Sequence, residues 1–169
     1  MNHGTFHACA VACFCLALIS PPATADEQAD RNAAIAAATK QADQWLNAMD
    51  EHRYTDGWDE SATVVKEGRT EQEWVREVSG PREALGKLVM RELKRTDFST
   101  RVRGAPEGEY VTAVYLAKFT NIPLAVETVL LTRESGQWRI GGYSIGEAGP
   151  PAGPQSGDSA TAPAPKAKD

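Results

Sequence analysis

Cysteine and histidine are scarce in this 169-residue chain, and their positions matter more than their number. The three cysteines, Cys9, Cys13 and Cys15, all lie within the first 25 residues. The rest of the chain has no thiol, which excludes disulfides, thiolate metal sites and cysteine nucleophiles there. Beyond the same stretch the single histidine is His52. One imidazole and no thiol would leave a transition metal mostly carboxylates, so no metal site is expected. A Ser–His–Asp triad would depend on His52 alone, and neither Ser135 nor Ser144 has a base near it in sequence. The turn Gly104-x-Pro106-x-Gly108 has no helix behind it, so it is not a phosphate loop, and no cofactor is expected. A surplus of basic charge is missing as well. The net charge is −5 with both signs interspersed, which argues against a nucleic-acid partner. There is no internal repeat.

No apolar run is long enough to span a bilayer. The longest, Ala8 to Ile19, has the length of a signal-peptide core, and Pro21-Pro22 ends it. Ala23-Thr24-Ala25 then supplies a small-x-small cleavage pattern. Cleavage after Ala25 is expected, giving a periplasmic or secreted protein with no transmembrane segment once residues 1–25 are removed. The amino-terminal region lacks Lys and Arg, and the other reading is a core helix of a soluble protein. The leader is favoured because no charged side chain occurs before Asp26, where helix-forming sequence starts abruptly. Ala10-Val11-Ala12-Cys13 has the outline of a lipoprotein cleavage box with Ala where Leu is usual, so lipid anchoring at Cys13 is the lesser alternative. Residues 148–169 are mostly Ala, Pro, Gly and Ser with no large apolar residue, and a disordered tail is expected.

Residues 26–147 between these ends read as one α+β domain. Ile35, Ala38, Ala42, Trp45, Leu46 and Met49 recur at three- and four-residue spacing, predicting one helix over Asp26 to His52. A break follows at Arg53 to Gly57, then a short amphipathic piece with Trp58, Ala62 and Val65. Thr70 and Glu73 have capping-box spacing and open a helix through Trp74, Val75 and Val78, which Gly80-Pro81 should kink or end, with a further turn running to Leu85 before Gly86. Leu88–Thr96, Gly108–Phe119, Leu124–Arg133 and Gln137–Ile145 read as strands, with Phe98–Glu107 as a loop. The short links within the later runs imply antiparallel neighbours. Gly141-Gly142 in the last run marks a bulge or bend. Helices first and a sheet of about four antiparallel strands last is the α+β pattern.

Trp45-Leu46, Tyr54, Trp58, Trp74, Arg82-x-x-Leu85-Gly86 and Arg91 form an ordered series. Gly104-Ala105-Pro106-x-Gly108-Glu109-Tyr110, Phe119, Glu127-Thr128-Val129 and Gln137-Trp138-x-x-x-Gly142-Tyr143 continue it. Together they resemble a bacterial domain-of-unknown-function family numbered 4019, over about Ala38 to Ile145. The chain departs from that pattern at Ala84 and Arg103, where Pro is expected. The family is similar in architecture to the nuclear transport factor 2-like superfamily, which implies N-terminal helices packed on a curved, cone-like antiparallel sheet. Members are usually exported, and the family has no assigned activity. The resemblance implies a pocket or docking scaffold, with homodimerisation through the open sheet face as a further expectation.

Glu127 is the first candidate for chemistry. Strand alternation puts it on the face shared by Ala125, Val129 and Leu131, where a carboxylate is costly unless paired or hydrated. It could act as a general base at the floor of a pocket, with Tyr143 as hydrogen-bond donor, in an isomerase- or dehydratase-type enzyme. The structural alternative, an ion pair with Arg91 or Arg139 on a neighbouring strand or simple exposure at the sheet rim, is favoured. His52 could pair with Asp50 or Asp56 as a dyad, although a capping or surface role fits the end of a helix. Trp and Tyr fill cores as readily as they line pockets. The expected ligand-facing set is Trp58, Tyr115, Glu127, Tyr143 and Arg91. With no catalytic set recognised, the favoured reading is a non-catalytic domain that binds a small apolar ligand or an envelope protein.

Overall fold

A computed structural model describes residues 25–147, so the expected signal peptide, the Cys13 anchor and the C-terminal tail lie outside the described residues. The helices are α1 (Ala25–Asp50), α2 (Tyr54–Asp59), α3 (Thr63–Lys66) and α4 (Glu71–Leu85). The strands follow as β1 (Leu88–Ser99), β2 (Tyr110–Phe119), β3 (Ala125–Glu134) and β4 (Gln137–Glu147). All neighbours are antiparallel in the order β1-β2-β3-β4, which is the α+β arrangement expected.

One face of the sheet carries the core. Ala38, Ala42, Trp45, Leu46 and Met49 of α1 pack on Val111, Ala113, Tyr115, Val129, Leu131 and Ile140. The apolar stripe of α1 and the period-two apolar positions of β2 and β3 therefore face each other. A second cluster, Ala117, Phe119 and Ala125 with Leu85, Leu88, Ile122 and Ile145, closes the far end of the sheet. The opposite face carries Val114, Leu116, Val126 and Leu130 at intermediate exposure; on this face the resemblance would place a second copy.

The capping box of α4 is present in full. The Thr70 hydroxyl accepts from the Glu73 backbone N–H, and the Glu73 carboxylate accepts from the Thr70 N–H at 2.7 Å. Gly80-Pro81 does not end α4, which runs on to Leu85, where a further turn was expected to stop. Proline withholds one N–H from the ladder, but Arg82 beside it is anchored by ion pairs that hold the last turn in place. Gly86 then ends the helix at φ 76°, where an added Cβ would collide with Thr120. Strand β1 also extends to Ser99, because Phe98 pairs with Val111 and packs on the core. In β4 the register shifts between Leu130↔Gly142 and Leu131↔Ile140, leaving Gly141 as the extra residue of a bulge.

Candidate functional site

Two features meet where α1, α4 and the sheet converge. The first is a closed ring of four charges on four elements: Asp50 ends α1, Arg82 lies in the last turn of α4, Arg91 in β1 and Glu127 in β3. Arg82 Nη1 donates to Glu127 Oε1 at 2.7 Å, and Arg91 Nε donates to Glu127 Oε2 at 2.6 Å. Asp50 closes the ring, accepting from Arg82 Nη2, from Arg91 Nη1 at 2.5 Å and from Arg91 Nη2 at 3.1 Å. The Tyr143 hydroxyl joins from β4, donating to Glu127 Oε1 at 2.8 Å and accepting from Arg82 Nη1 at 2.6 Å. The side chain of Glu127 is 0 % exposed and that of Arg82 is 3 %.

Two cations and two anions cancel, so the ring carries no net charge into the core. Burial works against the charge on Arg82, but Tyr143, Glu127 and Asp50 outweigh it and raise its pKa. Burial likewise opposes the charge on Arg91, and its bonds to Asp50 and Glu127 raise its pKa on balance. Burial is the largest cause that pushes the Tyr143 phenol well above its ordinary value. The Tyr143 ring also packs on Trp45 at a centroid distance of 5.0 Å. Buried charges persist only when paired and hydrogen-bonded in this way.

The second feature is a cavity of about 480 Å³ between α3, α4 and β4. Val64, Val65, Trp74, Val78, Pro81 and Ile145 give it apolar walls, and Arg82 and Tyr143 connect it with the ring. At its rim Arg69 and Glu77 form an exposed ion pair of 2.8 Å. A volume of this size suits a small ligand or a few side chains of a larger one.

Of the residues singled out from sequence, Tyr143 lines the cavity; Glu127 and Arg91 lie in the ring and not in its walls. Tyr115 is buried under α1 and donates to Asp43 at 2.9 Å. Trp58 packs on Trp74 with Lys66 over its ring. Arg139 donates to the Asp59 carbonyl, so Arg91 is the arginine that meets Glu127. His52 contacts the Tyr54 hydroxyl, while Asp50 serves the ring and Asp56 pairs with Arg53, so the structure brings no Asp–His dyad together. Arg82 is the ring member that sequence reasoning did not single out for chemistry, and Asp50 entered it only as a dyad partner for His52. Signals were present for both. Arg82 continues the four-residue spacing of Trp74 and Val78, which puts a cation on an apolar stripe. Asp50 is a carboxylate at the negative end of a helix, an unfavourable place without a cationic partner.

Residues 41–143 match the family described as "Protein of unknown function (DUF4019)". The chain belongs to this family. The matched span covers more than half of the sequence and includes Asp50, Arg82, Arg91, Glu127 and Tyr143. No curated protein and no solved structure matches the chain. Among the described residues, no helix is long and apolar enough to cross a membrane.

Proposed function

We propose that this DUF4019 chain is an exported, non-catalytic binding domain that receives an uncharged apolar ligand in the cavity between α4 and β4. The observation that carries the reading is the contrast between ring and cavity. Both oxygens of Glu127 are taken up by Arg82, Arg91 and Tyr143, and the carboxylate lies outside the cavity lining. A general base must come within hydrogen-bond reach of the proton it removes. Glu127 is engaged as a structural partner, which weighs against the isomerase- or dehydratase-type alternative. The cavity meanwhile has apolar walls, and its polar inner end is already satisfied. Such a site favours ligands that bring no charge, because a charge there would lose water without gaining a partner. Export rests on the Ala8–Ile19 run and the Ala23-Thr24-Ala25 pattern, and N-terminal sequencing of the mature protein tests it.

Native mass spectrometry of the full-length product, purified from an exporting bacterial host, tests the binding reading. The expected result is a mass excess that disappears on denaturation. A mass equal to the bare chain, unchanged after incubation with the neutral probe N-phenyl-1-naphthylamine, contradicts it.

A further inference from the structure

We infer that the free edge of β4 accepts an extended peptide, which adds to the sheet beside Tyr143 and Ile145 and lays apolar side chains into the cavity. The inference rests on the cavity being a binding site and names the chemistry of its occupant.

Strands β1 and β4 are the two edges of the sheet. An edge strand is a template for pairing unless charges, bulges or covering segments blunt it. Strand β1 is blunted twice over, by Arg91, Glu92, Lys94, Arg95 and Asp97 and by two register irregularities. Strand β4 has no charged side chain from Gly141 to Gly146. Its first half is covered by the chain itself. Ile140 donates to the Glu60 carbonyl and accepts from the Ala62 N–H, with Ser61 forming a parallel bridge. Thr63 then turns into α3 and leaves the second half of the edge to the cavity.

The register determines which backbone groups remain. Ile140, opposite Leu131, points its N–H and C=O away from β3. Alternation along β3 gives the positions opposite Val129 and Glu127 the same orientation, and these are Tyr143 and Ile145. Their outward backbone groups have no backbone partner among the described residues, and both residues line the cavity. A strand added here continues the pairing that Glu60–Ala62 begin. On its inner face it meets Trp74, Val78 and Pro81; the exposed Ser144 and Gly146 lie on the same stretch of edge. The ring offers no spare counter-charge, because Arg82 and Tyr143 are bonded to Glu127 and Asp50. The occupant is therefore an uncharged extended segment, apolar at alternate positions, held in the β-addition mode.

A displayed library of random heptapeptides, selected on the full chain, tests this directly. The expected binders alternate apolar and polar residues, and N-methylation of their backbone amides abolishes binding. Ile145→Pro removes one outward N–H at an edge position where proline is compatible with a sheet. It should weaken those peptides about tenfold relative to Ile145→Ala, the loss of roughly one hydrogen bond. The N-methylated peptides give the same information without altering the protein, should the proline variant fail to fold. Selection of no binder overturns the inference, as do binders that tolerate N-methylation. If N-phenyl-1-naphthylamine still binds in that case, the cavity reading survives alone; if neither binds, both fail.

Discussion

Arg82 and Glu127 meet 2.7 Å apart between the last turn of α4 and the middle of β3, with both side chains shut away from water. The pair lies where the two apolar clusters of the core adjoin, since Ala125 and Val129 flank Glu127 on its own strand face. Apolar packing gives way there to a neutral ring of ions that ties α1, α4, β1 and β3 to one another. Such a ring contributes little net energy compared with an apolar core, but removing one member leaves the buried charges unbalanced and two of them short of a partner. The ring therefore fixes the geometry of the helices over the sheet, and with it the cavity between α4 and β4.

Tyr143→Phe should cost about 1–3 kcal/mol, because the buried hydroxyl both donates to Glu127 and accepts from Arg82. Its effect should also depend on pH. The folded-state pKa of Tyr143 is raised above the ordinary value near 10, so the folded protein holds this proton more tightly than the unfolded chain. The contribution is fully present below pH about 10 and lost as pH rises above it. Urea denaturation between pH 8 and 11 should show a shallower alkaline decline for Tyr143→Phe than for the wild type.

Val78→Trp should fill the cavity from the α4 side, since Val78 is half-buried in its wall. Fluorescence titration with N-phenyl-1-naphthylamine should show at least about a tenfold loss of affinity, in line with the cost of steric exclusion from a packed site. Thermal melting should be unchanged or raised. Retained affinity would place the probe elsewhere.

Thr70→Ala should cost about 1 kcal/mol by removing the side-chain half of the α4 capping box. Chemical denaturation measures this. Thr70→Ser, which keeps the hydroxyl, should restore most of it.

That cap was legible in the sequence because Thr70 and Glu73 act on neighbouring backbone groups. The same holds for the α1 stripe and the Gly141 bulge, each fixed by local spacing. Glu127 was legible as a carboxylate on an apolar strand face and Arg91 as one of two candidate partners. However, β2 lies between their strands, so the pair meets across the sheet face and not between neighbouring strands. The complete ring was harder to read. Asp50 lies 41 residues before Arg91, and Arg82 lies 45 before Glu127, and no local rule links such positions. Whether Pro81 kinks or ends α4 was left open by the sequence for a related reason. The local cost of proline is set by the chain, while the ion pairs that offset it come from α1 and β3. The cavity depends on how far α4 stands from β4, a tertiary distance that spacing along one chain does not encode.

Equilibrium urea denaturation of Glu127→Gln beside the wild type tests most directly whether Glu127 is a structural partner. The account predicts a loss of about 3–5 kcal/mol, because Arg82 and Arg91 are left buried with Asp50 as their single carboxylate partner in the ring. Stability kept or raised would mean that the carboxylate is held at a cost, as a proton carrier would be, and would contradict the account.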